Sequence, residues 1–268
     1  MKHMSVCIPT HGMKGLGPRF LRENLDKLAA QTFKDFEVVI SDHSNDDLIK
    51  DVCLGYEDIL DIQYYRNTRG VGSSSVNINN AVRKAKGKLI KVLFLDDFLY
   101  HDRSLADIAK NFDLQKDHWL VTACEHTTDG ITFYNPLYPR YNDKIFLGRN
   151  SISSPSVLTI KNDHPLLFDE RLVWLMDVDY YKRCHDAFGP PKVLDVINVV
   201  NRTGEHQGEG GYKGKDATAA ERLKNKELKY VMRKYHRDLT VKDWTWFVKT
   251  EIKYIIKLII SAVIQRHD

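Results

Sequence analysis

Asp96 and Asp97 end the apolar run Leu89-Ile90-Lys91-Val92-Leu93-Phe94-Leu95. Adjacent carboxylates repel unless a cation or donor groups offset their charge, and one or two carboxylates plus substrate phosphates are a common way of holding Mg²⁺ or Mn²⁺. The pair therefore predicts a metal-assisted enzyme acting on a phosphorylated substrate. It is also an ordinary way to leave a strand and cap the next helix, so its meaning depends on what converges with it. Two other groups have suitable chemistry. His206 lies in Arg202-Thr203-Gly204-Glu205-His206-Gln207-Gly208, a glycine-rich loop able to close over a phosphate or metal, or else it is a surface histidine. Arg69, just before Gly70, is placed to meet a diphosphate or simply to face solvent.

The elements that must position these residues follow from hydrophobic periodicity. Residues 5–9, 37–41, 62–65 and 89–95 read as strands. Phe20, Leu21, Leu25 and Leu28 mark a helix between the first two, and 77–86 suits another that stops at Gly87. This βαβαβαβ order predicts an α/β fold, a mostly parallel sheet flanked by helices, with ligands at the carboxyl ends of the strands. Parallel strands point one way, so Pro9-Thr10, Ser41-Asp42 and Asp96-Asp97 should share an edge. Asp42 there either accepts a bond from a base or ribose, or caps the next segment.

After Asp97 the order is less regular. A helix over 104–114, strands at 119–123 and 156–160 separated by the Pro- and Tyr-rich stretch 134–141, a helix from about Asp177 and a strand at 193–200 are expected. The remainder beyond the loop 203–214 reads as helical. The expected organisation is a catalytic domain over 1–214, with a nucleotide-binding half (1–100) and an acceptor half with its loop (101–214), followed by a basic helical extension over 215–268.

With 268 residues and 43% hydrophobic content, the chain is long enough to bury a sizeable core. Cys7, Cys53, Cys124 and Cys184 are widely spaced, which argues against a zinc site or a disulfide framework and suits a reducing compartment. Met1-Lys2-His3-Met4 and one short strand lack the apolar stretch of a secretion signal, so a cytoplasmic protein is expected. The net charge of +4 is uneven: from Lys213 onward 14 Lys or Arg face 7 Asp or Glu, a net +7 on a mildly acidic body. Such a tail suits an anionic lipid surface or a phosphorylated acceptor, with nucleic acid less favoured, or it is a solvated helix face. Lys249, Lys253, Lys257 and Ser261 recur every four residues between Trp244, Phe247, Ile252, Ile255, Ile256, Ile259, Ile260 and Val263. The helix they form is amphipathic and interrupted by charge before the roughly 20 apolar residues that a membrane span needs. It either lies in a bilayer interface, at the inner face of the membrane, or packs on the catalytic domain.

The ordered set Ser5-Val6-Cys7-Ile8-Pro9-Thr10, Gln31-Thr32-Phe33-Lys34-Asp35-Phe36-Glu37-Val38-Val39-Ile40-Ser41-Asp42-His43-Ser44-Asn45-Asp46, Asn79-Asn80-Ala81, Ala85-Lys86-Gly87, Leu95-Asp96-Asp97 and Trp174-Leu175-Met176-Asp177-Val178-Asp179-Tyr180-Tyr181 resembles glycosyltransferase family 2. The resemblance runs from about Ser5 to Gly208 and implies the Rossmann-like GT-A fold of nucleotide-sugar-dependent inverting enzymes. It implies that Thr10 and Asp42 contact the nucleoside, that Asp96 and Asp97 form the counterpart of an Asp-x-Asp motif with Asp97 the metal ligand, and that Asp177 is the catalytic base. Similar enzymes often carry a His or Arg where His206 stands. Ser41, His43, Phe98 and Met176 depart from the usual pattern, which bears on donor identity more than on fold. The helix start agrees with the assignment: its dipole favours a charged carboxylate at Asp177, ready to accept a proton, while Asp179 points to nearly the opposite side. Capping is the alternative role for both.

The function expected is metal-dependent transfer of a sugar from a nucleotide-diphosphate donor, a UDP-sugar first, to a hydroxyl of a glycan or lipid-linked glycan, as in surface polysaccharide synthesis. Mn²⁺ or Mg²⁺ is the expected cofactor. The alternatives are a sugar nucleotidyltransferase and a non-catalytic protein that binds nucleotide or an anionic surface.

Overall fold

The computed structural model describes residues 1–204 and 217–264, with side chains over 1–204 and 221–256. The chain divides into two compact units, Met1–Gln207 and Gly208–Asp268.

In the first unit the alternation read from periodicity is present: β1 (Met4–Thr10), α1 (Gly17–Ala29), β2 (Phe36–Asp42), α2 (Leu48–Leu54), β3 (Ile62–Arg66), α3 (Ser74–Lys84) and β4 (Leu89–Val92). β1 pairs in parallel with β2 and β4, and β2 with β3, so the strands run one way and end on one edge. Every residue of β1 and β2 is buried, as expected of parallel strands covered on both faces. One face packs Val6, Ile8, Val38 and Ile40 against Phe20, Leu21, Leu25 and Leu28, the apolar stripe of α1. Ser73 caps the start of α3, its hydroxyl accepting from the Val76 amide at 3.3 Å.

The turn from α3 into β4 passes close to the start of β1. A side chain on Gly87 would come within 2.6 Å of backbone atoms of Met4 and Ser5, so only glycine fits there. The buried Glu37 carboxylate completes the junction by accepting from Ser5 Oγ at 2.6 Å and the Lys86 amide at 2.7 Å.

The second half adds β5 (Phe98–Leu99), α4 (Ser104–Asn111), β6 (Trp119–Thr127), β7 (Tyr134–Leu137), β8 (Leu158–Lys161), α5 (Met176–Phe188) and β9 (Lys192–Arg202). The strand order is β3-β2-β1-β4-β8-β6-β9-β5, with β7 on β6. β8 runs antiparallel to both β4 and β6, whereas β6 and β9 are parallel. The result is the expected α/β architecture with a mostly parallel sheet.

Several boundaries differ from the periodicity reading: the helix expected over 77–86 spans Ser74–Lys84, that over 104–114 ends at Asn111, the strand over 119–123 runs to Thr127, and three further differences lie near the acid pair. β4 ends at Val92 although Leu93 and Leu95 are buried, because apolar burial continues into the turn where the Asp97 amide donates to the Phe94 carbonyl. The strand expected from 156 opens as a short 3₁₀ turn, Pro155–Val157, which suits a proline at its first position. β9 continues to Arg202, which carries Asn201 and Arg202 up to the acid pair.

The second unit holds α6 (Ala217–Lys234), a 3₁₀ turn at His236–Asp238 and α7 (Val241–Ile264). Thr240 and Asp243 cap α7 reciprocally: the Asp243 carboxylate accepts from the Thr240 amide at 2.9 Å, and the Thr240 hydroxyl accepts from the Asp243 amide at 3.3 Å. Among the described residues no helix is long and apolar enough to cross a membrane.

Candidate active site

At the strand edge Thr10, Asp42 and Arg66 occupy one register line across β1, β2 and β3. Asp42 is fully buried, and protein donors surround its carboxylate. Oδ1 accepts from Thr10 Oγ1 at 3.2 Å, the Ser44 amide at 2.9 Å and Ser44 Oγ at 2.7 Å, while Oδ2 accepts from the Tyr64 hydroxyl at 2.8 Å. Burial and the bond to Asp42 push the Tyr64 phenol well up, keeping it a donor. Arg66 adds its positive charge, with Nε 3.5 Å from Oδ2. Helix α3 closes the same corner: Asn77 donates to the Thr10 carbonyl at 2.9 Å and accepts from Ser41 Oγ at 2.7 Å, and Asn80 donates to that hydroxyl at 2.9 Å. Ser41 thus serves as a hydrogen-bonding spacer between β2 and α3.

Beyond β4, Asp97 is almost wholly buried while Asp96 is half-buried. Asp97 Oδ1 accepts from the Arg202 amide at 3.0 Å, and Oδ2 accepts from Ser154 Oγ and Asn201 Nδ2, each at 2.9 Å. Burial, and then the Asp96 charge, push Asp97 up to about 7 against the opposing pull of these bonds. The Arg202 guanidinium lies under the pair, donating to the Asp96 carbonyl at 3.2 Å and pairing with Glu23 at 2.6 Å over the rings of Phe20 and Phe98. Behind them, burial pulls Lys91 down to about 7, with Asp97 working in the opposite direction. Its ammonium donates to the Ser156 carbonyl.

Asp177 sits half-buried in the first turn of α5. Its Oδ2 accepts from Asn150 Nδ2 at 2.7 Å. Asn150 also folds its own loop, accepting from the Ile152 and Ser153 amides at 3.0 and 2.9 Å. Ser153 Oγ donates to Asn201 Oδ1 at 2.8 Å, and Asn201 donates onward to Asp97. A continuous hydrogen-bonded path, Asp177–Asn150–Ser153–Asn201–Asp97, therefore runs between the two acids. The Tyr181 hydroxyl steadies the path by donating to the Ser153 and Ser154 carbonyls at 3.1 and 3.0 Å. Asp179 is buried elsewhere, paired with Arg183 at 2.8 Å.

Arg69 projects outward and pairs with Glu170 at 3.0 Å, a carboxylate that also meets Arg83 at 3.2 Å and Asn79 at 3.1 Å. His206 lies outside the described residues. Among the described residues no cluster of three His, Cys, Asp or Glu side chains is set to hold a metal ion. The acid pair nevertheless has the chemistry for one. Its oxygens are the hard donors that Mg²⁺ and Mn²⁺ prefer, and the Asp96 charge that raises Asp97 is what a cation would offset.

Sequence reasoning missed Asn150, Ser154, Asn201 and Lys91. The first two lie in an irregular stretch without periodicity, and Asn201 sits past the expected end of its strand. Lys91 did leave a signal: a lone charge inside an otherwise apolar strand.

A family model described as Glycosyl transferase family 2 matches residues 5–176. An uncharacterized glycosyltransferase of Rickettsia typhi is 27% identical over 100 residues, 37% of this chain and 29% of that protein. Validoxylamine A glucosyltransferase of Streptomyces hygroscopicus subsp. jinggangensis is 38% identical over 93 residues, 34% of this chain and 21% of that one. The matched segments thus cover less than a third of either relative. Among solved structures, S. aureus TarS in complex with UDP-GlcNAc superposes with a TM-score of 0.59 at 20% identity, covering 85% of this chain and 66% of that one. The Pyrobaculum calidifontis mannosyltransferase PcManGT, in complex with GDP-Man and Mn²⁺, does so with a TM-score of 0.59 at 15% identity, covering 93% and 69%. At these identities the two structures speak to the fold.

Proposed function

The chain belongs to glycosyl transferase family 2, and from that premise we propose that it transfers a sugar, with inversion, from a nucleotide diphosphate to an acceptor hydroxyl. The observation that carries this reading is the hydrogen-bonded path from Asp97 to Asp177 through loop 150–154. It joins an acid suited to a cation with a second acid in the first turn of α5. In this reading Thr10, Asp42 and Arg69 line the nucleotide side, and Asp96 meets the donor beside Asp97. Asp96 and Asp97 would hold a divalent cation, which when bound would neutralise the leaving diphosphate. His206 is a further candidate ligand.

Asp177 accepts the proton of the acceptor hydroxyl as its oxygen forms the bond to the anomeric carbon. The bond to the diphosphate breaks on the opposite face of the sugar, and its electron pair leaves on the phosphate oxygen. Attack opposite the leaving group inverts the configuration. Asn150 aims the Asp177 carboxylate through the 2.7 Å bond to Oδ2. In this reading a UDP-sugar is the first donor to test, a glycan or lipid-linked glycan is the acceptor class, and α7 is a peripheral contact with the inner face of a membrane.

The test is a screen of UDP- and GDP-sugars for thermal stabilisation with and without Mn²⁺, followed by product analysis with the best donor. Cation-dependent stabilisation and an inverted glycoside are expected. Pyrophosphate release from a nucleoside triphosphate and a sugar phosphate would replace this reading with nucleotidyl transfer. Stabilisation by no nucleotide would leave a non-catalytic binding protein.

A further inference from the structure

Helix α7 sorts its side chains in a way that packing inside the Gly208–Asp268 unit does not require. Trp244, Val248, Ile252, Ile255 and Ile256 recur at three- and four-residue spacings and form one stripe. All five are exposed, between 41% and 52%. Isolated exposed apolar residues need no explanation, but a continuous stripe marks a surface that water does not normally cover. Lys242, Lys249 and Lys253 run along one border of the stripe, and all three are exposed.

The acids of the same helix are turned away or engaged. Asp243 is buried in its cap, and Glu251 accepts from Asn225 and pairs with Lys229 of α6 at 2.6 Å. On the helical wheel Glu251 lies at the border of the stripe opposite the lysines, so α6 runs along that side. Along α6, Arg222, Lys226, Lys229 and Arg233 recur every three or four residues and line a groove with Tyr230 and Tyr254. The stripe is thus bordered by lysines on one side and by the Glu251–Lys229 pair on the other, with the remaining cations of α6 beyond that pair.

We propose that the α6–α7 hairpin docks on a bilayer surface rich in anionic lipids, with the α7 stripe at the level of the acyl boundary and Lys242, Lys249 and Lys253 among the headgroups. Charge complementarity favours this occupant: exposed lysines beside an apolar stripe match an apolar layer topped by anionic headgroups, whereas a neutral bilayer would gain nothing from them. The lysine stems can lie along the apolar surface while their ammonium groups reach phosphate. The helix lies in the interface and does not span it, since no helix among the described residues is long and apolar enough to cross. The proposal gives residues and a lipid class to the membrane contact named above, and its test does not depend on glycosyl transfer.

The experiment is flotation of the full chain with phosphatidylglycerol/phosphatidylcholine vesicles and with phosphatidylcholine alone. Tryptophan emission, compared with that of Trp244→Phe to single out Trp244 among the four tryptophans, and sedimentation without lipid are measured in parallel. Binding is expected only to the anionic vesicles, falling as salt rises, with a blue shift in emission. K249E/K253E should weaken binding at least about tenfold, since each basic residue near such a surface contributes on the order of 1 kcal/mol. I252E/I255E should abolish it, with an unchanged circular dichroism melt showing that the fold is intact. Nucleotide-sugar turnover on a soluble acceptor, measured on the same variants, should be unaffected, which separates this proposal from the catalytic one. Equal binding to both vesicle types, or none to either, would overturn it. So would a dimer without lipid that I252E/I255E dissociates, which would assign the stripe to a second copy of the chain.

Discussion

Asp97 and Asp177 are held by the two ends of the same loop: Ser154 Oγ donates to Asp97 Oδ2 at 2.9 Å and Asn150 Nδ2 donates to Asp177 Oδ2 at 2.7 Å. The loop is itself fixed, by Tyr181 from α5 and by Asn201 from β9. The two acids are therefore joined by a chain of hydrogen bonds through one anchored loop. In the mechanism proposed above, this arrangement would keep the leaving-group side and the proton-accepting side in register, where small misplacements are costly.

Asp177→Asn should leave the fold intact, because the substituted amide oxygen can still accept from Asn150. Donor binding, read by thermal shift, should be retained. Turnover should fall by about two to four orders of magnitude, the usual worth of a positioned general base. Turnover within a few-fold of wild type would remove Asp177 from the mechanism.

Asn150→Asp is a sharper probe of positioning. The substitution keeps the acceptor that folds the loop, removes the donor to Asp177 and adds a like charge beside it. A neighbouring negative charge raises the pKa of a carboxylate. The acid limb of the pH–rate profile should therefore move to higher pH, by roughly one unit, while kcat falls about tenfold and the KM for donor changes little. An unshifted limb would mean that Asn150 only folds the loop.

Asp97 gives a pH signature in the protein alone. Its folded value is raised to about 7 from an ordinary 3.8, so between these limits the folded state holds the extra proton. The associated stability is complete below about pH 4 and lost as the pH passes about 7, on the order of 4 kcal/mol at most. Lys91, pulled down to about 7 from 10.5, acts in a separate window: stability rises from about pH 7 to about pH 10 as the unfolded chain gives up its extra proton. In chelator, wild type should lose stability relative to Asp97→Asn between about pH 4 and about pH 7, as read by paired melting curves. Added Mn²⁺ should reduce that loss. Parallel curves across the window would show that Asp97 is not held above its ordinary value.

Much of the fold was legible because periodicity reports burial, and burial is what a parallel sheet imposes. The runs at 5–9 and 37–41 are continuous because both faces of β1 and β2 are covered, and Phe20, Leu21, Leu25 and Leu28 share one side of α1. The convergence of Thr10 and Asp42 followed directly from strand direction. The site's polar framework was less legible. Asn150 and Ser154 act from a loop whose shape comes from its own side-chain-to-backbone bonds, and such bonds leave no periodic trace. Ser41 shows a third case, in which the residue type is visible and its partners are not: its hydroxyl meets Asn77 and Asn80, which α3 brings in from 36 and 39 residues away.

Asp42 combines a proposed role in nucleotide contact with a demonstrable place in the corner of the fold, and stability measurements separate the two. Its carboxylate is fully buried and accepts four protein hydrogen bonds, from Thr10, twice from Ser44 and from Tyr64. Asp42→Ala would strand those donors and leave Arg66 without the charge 3.5 Å from its Nε, at a cost of about 3 to 5 kcal/mol, the range for breaking a buried charge network. Tyr64→Phe removes one of the four bonds and should cost about 1.5 to 3 kcal/mol, the range for a bond to a charged group. Urea unfolding of both variants should show this order with unchanged m-values. Tyr64→Phe does not alter Asp42 itself, so its effect on donor affinity reads how far the nucleotide depends on the orientation of that carboxylate. A stable Asp42→Ala protein with only donor binding lost would reverse the reading and make Asp42 a ligand-contact residue with a dispensable structural part.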